Sequence, residues 1–185
     1  MKRVIVLGTL GMAGHVMAEY LDRTNSFQIF GVARTSGRYV DREMDVTDFS
    51  GLEAFLNETK PDYVINCIGI LVNRSSQDIC NAILVNSYLP NFLSRLAATT
   101  HFKLVHISTD CVFSGDTGQY HESDFKDGRD LYAKTKALGE IENNRDLTIR
   151  TSIIGPELKG HGTGLLDWAF KQRQEIRGYT KAYWS

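Results

Sequence analysis

Tyr132 and Lys136 stand four residues apart in Leu131-Tyr132-Ala133-Lys134-Thr135-Lys136. On a helix they share one face while Lys134 points away. A phenol with an ordinary pKa of about 10 is a poor acid or base near neutrality. An ammonium within hydrogen-bonding distance stabilises the phenolate and moves the group towards working pH. The same ammonium can hold the hydroxyls of a cofactor ribose and so position a hydride donor. A lone pair at this spacing also occurs on ordinary surface helices, so it needs company. Ser108-Thr109-Asp110 supplies it, at the end of a run of strand-forming residues. A hydroxyl at the carboxyl end of a parallel strand faces the crevice where open sheets bind ligands, and it can stabilise charge developing on a carbonyl oxygen. Capping a loop is the plainer role for Ser108 and Thr109, and the Tyr/Lys pair downstream argues against it.

A dinucleotide carrying the hydride has a place near the start of the chain. The apolar run Val4-Ile5-Val6-Leu7 ends in Gly8, Gly11 and Gly14, and Val16, Met17, Tyr20 and Leu21 follow at helical spacing. In such a strand, turn and helix, the first glycine allows the tight turn and the middle one clears the ligand's path. The third lets the helix approach the sheet, and the helix N-terminus offers N–H groups to a pyrophosphate. The spacing is G-x-x-G-x-x-G, and the plain alternative is a glycine-rich turn without a ligand. Twenty residues past Gly14 stands Arg34, where a carboxylate would be expected to hold a ribose 2′-hydroxyl. A guanidinium there can grip a 2′-phosphate, with Thr35, Ser36 and Arg38 as further donors, so NADP(H) is favoured over NAD(H). An ordinary solvated arginine is the alternative. Asp45 and Val46, at the end of a third strand, could receive an adenine amino group and cover the ring; Asp45 could equally cap the next turn.

The elements that must position these groups alternate. Strands are expected at Phe27 to Ala33, Met44 to Val46, Tyr63 to Gly69, Lys103 to Ser108 and Leu147 to Arg150, after the first at Val4 to Leu7. Helices are expected from Asp48, from Gln77 to Ala98 with a kink or break at Pro90, from Leu131 to Asn143, and from Gly164 to Gln174. A polar loop fills Ser114 to Asp130. The pattern is α/β, a Rossmann-like doubly wound parallel sheet flanked by helices, in the strand order 3-2-1-4-5-6.

Composition bounds the rest. The chain has 185 residues and a net charge of −1, which gives no basic surface for a nucleic acid. No apolar run approaches the roughly 18 residues of a membrane span, and the run after Met1-Lys2-Arg3 is too short for a signal peptide. Cys67, Cys80 and Cys111 are odd in number and lack metal-ligand spacing, so no metal is expected and they read as reduced thiols in a cytoplasmic protein.

Taken together, Gly8-x-x-Gly11-x-x-Gly14, Asn66-Cys67-Ile68-Gly69, Ser108-Thr109-Asp110 and Tyr132-x-x-x-Lys136 resemble the extended short-chain dehydrogenase/reductase superfamily. The string from His106 to Gly115 and the helix from Tyr132 to Glu140 are similar to its dTDP-4-dehydrorhamnose reductase-like branch of sugar-nucleotide reductases. The resemblance implies Thr109, Tyr132 and Lys136 as catalytic residues: Thr109 orients a C4 ketone, Tyr132 donates the proton, and Lys136 binds ribose and tunes the tyrosine. It implies that Gly8, Thr9, Leu10, Gly11, Met12 and Gly14 hold the pyrophosphate. Asn66, Ile68 and Gly69 would line the ribose-nicotinamide channel, with Ile153 near the nicotinamide. Asn86 matches an asparagine often carried by the superfamily in its fourth helix. Residues 1–156 would then be the NAD(P)-binding domain and 157–185 the start of an incomplete substrate lobe. The implied partner is a nucleotide-sugar in cell-surface polysaccharide synthesis, with a homodimer among the assemblies allowed. Cys111 departs from the branch, which usually has tyrosine there, and this leaves the sugar open. The same fold also serves non-catalytic nucleotide-binding regulatory subunits and sugar-nucleotide epimerases or dehydratases.

Overall fold

The computed structural model describes residues 1–158 and 164–178. Six parallel strands form one sheet in the order β3-β2-β1-β4-β5-β6, the order expected of a doubly wound fold. They are β1 (Lys2–Leu7), β2 (Phe27–Ala33), β3 (Arg42–Glu43), β4 (Tyr63–Asn66), β5 (Lys103–Thr109) and β6 (Leu147–Thr151). The flanking helices are α1 (Met12–Arg23), α2 (Phe49–Thr59), α3 (Val72–Gln77), α4 (Ile79–Ala82), α5 (Leu89–Thr100), α6 (Leu131–Leu138) and α7 (Leu165–Lys171).

The central strand shows why the sheet is covered on both faces. Ile5 and Leu7 pack with Val64, Leu104 and the apolar sides of α2 and α5, including Leu52, Leu56, Phe92 and Leu93. Val4 and Val6 point the other way, to Ile65 and to Leu21 and Met17 of α1. Register then lines up the carboxyl ends. Leu7 pairs with Asn66, and Asn66 with His106, so the chain leaves β1 and β4 beside the last residues of β5.

Several expected boundaries move, each for a local reason. The third strand is Arg42–Glu43 and stops short of Met44 to Val46. Asp45 accepts from both the N–H and the hydroxyl of Thr47, which turns the chain, and Val46 drops into the core. The long helix expected from Gln77 starts earlier, at Val72, and breaks at Asp78, whose carboxylate caps α4 through Asn81 N–H. The break expected at Pro90 takes the form of a π-helical stretch, Ile83–Tyr88, immediately before α5. Proline lacks the N–H that would reach Asn86 carbonyl, and Gly139 packs there, so closely that a Cβ on it would lie 1.9 Å from Asn86 O. α6 ends at Leu138, not Asn143, because Glu140 is drawn inward to Arg150. The fourth strand ends at Asn66, not Gly69. The lobe expected over 157–185 is described only in part, and Tyr183, Trp184 and Ser185 lie outside the described residues.

Candidate active site

The glycine turn leaves β1 with Gly8 at φ +89°, a conformation that favours glycine. Gly8 and Thr9 N–H groups bond to Val32 O at 2.8 and 3.3 Å, and Gly11 N–H to Gly8 O at 2.8 Å. A Cβ on Gly14 would lie 2.0 Å from Gly8 O, so the start of α1 sits directly against the strand end. Gly11 is the N-cap of α1 without a side-chain cap, and the first turn carries no acidic residue. The first N–H groups of α1 therefore point outward with their partial positive charge unmatched, which fits the pyrophosphate of a dinucleotide. Leu10 packs on the loop after β2, its Cδ2 2.7 Å from where a Gly37 Cβ would stand. Met12 lies under Gly155 and Gly164. Thr9 shapes the turn from within: its side chain is fully buried with Cγ2 against Gly31, and among the described residues its hydroxyl has no hydrogen-bond partner.

Around this turn the remaining expected cofactor residues divide. Ile68 walls the turn, with Cγ1 2.8 Å from a hypothetical Gly8 Cβ. Gly69 is exposed over Asn86 Oδ1 and Lys136 Nζ, 3.5 and 3.9 Å from where its own Cβ would be. Asn66 is fully buried and accepts from Ile68 N–H at 3.1 Å, so it fixes this wall from behind. Arg34 is exposed just past β2, whereas Arg38 is engaged with Tyr39, 4.7 Å over its ring and 2.8 Å from its hydroxyl. Asp45 is held below the usual carboxylate range by hydrogen bonds from Thr47 and, more weakly, by the charge of Arg34. Ile153 is half exposed beyond β6.

The second cluster sits at the end of β5. Thr109 accepts from Cys111 N–H at 3.2 Å, which opens a short 3-10 turn over Asp110–Val112. Gly128 locks that turn to the start of α6: its N–H bonds to Val112 O, and a Cβ on it would strike Cys111 O and Ala133 Cβ, both at 2.6 Å. Asp130 caps α6 through Ala133 N–H at 2.7 Å. Tyr132 is thereby held beside Thr109. Burial pushes the phenol up, and the Thr109 hydroxyl pulls it back, while Asp110 and Asp130 push the same way as burial.

One turn along α6, Lys136 is buried and runs under β5, where Nζ donates to Ile107 O at 2.8 Å. Burial lowers its pKa to about 8, against the opposing attraction of Glu140. Burial also pushes the Cys67 thiol up to about 12 and lowers His106 to about 3, so both are neutral near pH 7. Asn86 clamps α6 to the loop after β4: it accepts from Ile70 N–H at 2.7 Å and donates to Thr135 Oγ1 at 3.1 Å. Beneath the site, Glu140 receives Ser108, Arg150 and Lys126. These bonds outweigh the burial that acts to raise its pKa and leave it an anion.

The arrangement brings Thr109, Tyr132 and Lys136 to the carboxyl edge of the sheet, beside the wall that flanks the glycine turn. A proton donor, a hydroxyl and a cation set there can serve reduction of a carbonyl. Ser108 turns the other way, into the Glu140 cluster. The sequence reading gave no role to His106, Glu140 and Arg150. The signal for His106 was an ionisable residue inside an apolar strand; Glu140 and Arg150, ahead of and inside the edge strand β6, carried only opposite charges ten residues apart. Among the described residues no cluster has the make-up of a metal site.

Comparison with known proteins identifies the family and the fold. The family model described as RmlD substrate binding domain matches residues 1–177. A dTDP-4-dehydrorhamnose reductase of Streptomyces griseus is 31% identical over 141 residues, 75% of this chain and 43% of that protein. Methionine adenosyltransferase 2 subunit beta of Xenopus laevis is 25% identical over 154 residues, 80% of this chain and 45% of that protein. Among solved structures, a hypothetical dTDP-4-dehydrorhamnose reductase of Sulfolobus tokodaii superposes with a TM-score of 0.74 at 28% identity, covering 80% of this chain and 55% of that one. A dTDP-4-dehydrorhamnose reductase of Bacillus anthracis, in complex with NADP, gives 0.70 at 24% identity and shares the fold, covering 80% of this chain and 52% of that one. The chain spans about half the length of the curated relatives it matches. With the family model matching nearly the whole chain and the sheet in doubly wound order, the chain belongs to the RmlD substrate binding domain family, within the extended short-chain dehydrogenase/reductase superfamily.

Proposed function

We propose that this chain is the nucleotide-binding part of an NADPH-dependent reductase acting on a nucleotide-linked 4-keto sugar for cell-surface polysaccharide synthesis. The observation that carries the reading is Tyr132 held beside Thr109, on the same helix as buried Lys136 and next to the wall of the glycine turn. Residues 1–156 act as the NAD(P)-binding domain and 157–185 begin the substrate lobe. When bound, NADPH supplies the hydride. Tyr132 gives its phenolic proton to the oxygen at C4, and the Thr109 hydroxyl donates a hydrogen bond to that oxygen as it gains charge. Lys136 as an ammonium holds the nicotinamide ribose and stabilises the tyrosinate left behind. Arg34 grips the 2′-phosphate. The N–H groups at the start of α1 take the pyrophosphate, and Ile68 with Gly69 bound the ribose-nicotinamide channel.

The test is NADPH binding by calorimetry together with NADPH oxidation in the presence of dTDP-linked 4-keto sugars. Binding with turnover that Tyr132→Phe abolishes at nearly unchanged cofactor affinity supports the reading, and turnover retained in Tyr132→Phe refutes the proton-donor role. Binding without turnover by any 4-keto sugar, also in the protein extended by whatever follows Ser185, favours a second reading. That reading is a nucleotide-binding regulatory subunit, supported by the 25% identity to methionine adenosyltransferase 2 subunit beta.

A further inference from the structure

Five groups beneath the site form a chain of four hydrogen-bond contacts. Ile68 N–H donates to Asn66 Oδ1 at 3.1 Å. Asn66 Nδ2 lies 3.2 Å from His106 Nδ1, and His106 Nε2 lies 3.4 Å from Lys136 Nζ. Lys136 Nζ then donates to Ile107 O at 2.8 Å. Asn66 and His106 are both fully buried and are partners across β4 and β5, so neither can turn to solvent for an alternative partner.

A backbone N–H can only donate, so Ile68 fixes the amide of Asn66 with its oxygen towards the loop and its nitrogen towards His106. The Asn66 amide nitrogen also can only donate, so Nδ1 of the imidazole must accept. His106 is neutral, because burial first and the nearby lysine second lower its pKa to about 3. Its single proton therefore resides on Nε2 and faces Lys136 Nζ. An ammonium has no lone pair to receive that N–H, whereas an amine receives it and still donates to Ile107 O. When Lys136 is an amine, each of the four contacts in the chain has one donor and one acceptor.

We propose that His106, its tautomer fixed by Asn66, is a positioning residue that acts through Lys136, donating Nε2–H to the lysine's amine form so that Lys136 changes charge inside the folded protein. The other groups facing Lys136 leave this role to His106. Cys67, from the loop after β4, is a neutral thiol. Glu140, beyond α6, favours the ammonium but is neutralised by Arg150 and Lys126. Tyr132, on the same helix, is a neutral phenol, pushed up by its burial. The functional consequence rests on the reductase reading: ribose binding and tyrosinate stabilisation both need the ammonium, so the Asn66–His106 pair sets the alkaline limit of cofactor binding and turnover.

The test is long-range proton–nitrogen NMR on histidine-labelled protein, with lysine Cε labelled in parallel and Lys136 assigned by its absence in Lys136→Met. The expected result is a neutral His106 with its proton on Nε2 from pH 9 to pH 5, and a Lys136 midpoint near 8. Asn66→Asp offers a carboxylate that accepts from both Ile68 N–H and the imidazole. His106 should then carry its proton on Nδ1, and the Lys136 midpoint should rise by more than one pH unit. A proton on Nδ1 in the wild-type protein, or a Lys136 midpoint at the ordinary lysine value, overturns the proposal, and neither measurement depends on the variant folding. Neither needs turnover, so the expected tautomer in a protein that reduces no substrate sinks only the reductase reading. The opposite tautomer in an active reductase sinks only this one.

Discussion

Ser108 Oγ donates a 2.7 Å hydrogen bond to Glu140 Oε1, and this contact joins the end of β5 to the chain just beyond α6. The two ends of the candidate site, Thr109 on the strand and Tyr132 with Lys136 on the helix, are thereby held to one buried anion. Arg150 completes the clamp from β6, with Nε and a terminal nitrogen on the two carboxylate oxygens at 2.9 and 2.7 Å and its guanidinium 4.8 Å over the Phe113 ring. An isolated buried carboxylate would be costly, but three partners make it a fixed joint.

Glu140→Gln should therefore lower stability by about 3 kcal/mol, because it leaves the partly buried Arg150 charge without its anion, while Lys126 keeps Glu142. Ser108→Ala should cost only about 1 kcal/mol, since Glu140 keeps its cationic partners. Urea midpoints of the two variants at pH 7 check the ranking. The net pKa of Glu140 is lowered, so its contribution is present above the ordinary carboxylate value and lost as pH falls through the folded one. The gap between Glu140→Gln and wild type should shrink in acid.

His106 adds a second source of acid sensitivity. Its pKa is about 3 folded against an ordinary 6.5, so the unfolded chain binds the proton first. Stability conferred by keeping the imidazole neutral is complete above pH 6.5 and falls as pH drops towards 3. The loss should reach about 3 kcal/mol by pH 4. Denaturation curves of wild type and His106→Gln between pH 7 and pH 4 separate this from the carboxylates: the variant should lose distinctly less.

Lys136 acts with the same sign in an alkaline window. Its folded pKa of about 8 lies below the ordinary 10.5, so folding stability should rise as pH climbs from 8 to 10.5, by up to about 3 kcal/mol. Lys136→Met should lack that rise. A wild-type curve parallel to the variant over this range would show that the lysine titrates as an exposed one does.

How far the sequence could be read follows from these residues. The strands, the glycine turn and the Tyr132/Lys136 face were legible because each rests on a local pattern (an apolar run, a glycine triplet, or period 3.6), and the strand order followed from the topology that alternating strands and helices adopt. The break at Asp78, the π-helical turn before Pro90 and the end of α6 were not, since tertiary contacts decide them. Asn86 and Gly139 are far apart in sequence, and nothing near either announces that one packs on the other's carbonyl. The hydrogen-bond chain through His106 was hidden for the same reason. Only the register of β4 against β5 puts Asn66 beside it, and only α6 brings Lys136.

Cofactor choice turns on Arg34. Arg34→Asp should weaken NADPH binding at least tenfold and NADH binding much less, because a 2′-phosphate would meet a carboxylate where a guanidinium stood. Isothermal titration with both nucleotides decides it. Equal losses would show that Arg34 does not contact the 2′-phosphate, and Arg38, already stacked on Tyr39, is not positioned to stand in for it.

The glycine turn gives the sharpest contrast between neighbouring positions. An added methyl at Gly14 would stand 2.0 Å from Gly8 O and 2.6 Å from Gly8 C, backbone atoms that cannot swing aside. At Gly11 the nearest atom is Gly8 O at 3.2 Å, a contact that a shift of a few tenths of an ångström relieves. Gly14→Ala should thus cost about 2 kcal/mol in stability, as overpacking does, and should push α1 away from the strand end. Gly11→Ala should fold nearly as well as wild type but lose dinucleotide affinity, because its methyl projects at the exposed N-cap where the pyrophosphate would lie. Thermal melts and nucleotide titrations on the two variants separate the roles. A Gly11→Ala protein that binds NADPH at wild-type strength would move the pyrophosphate site away from the start of α1.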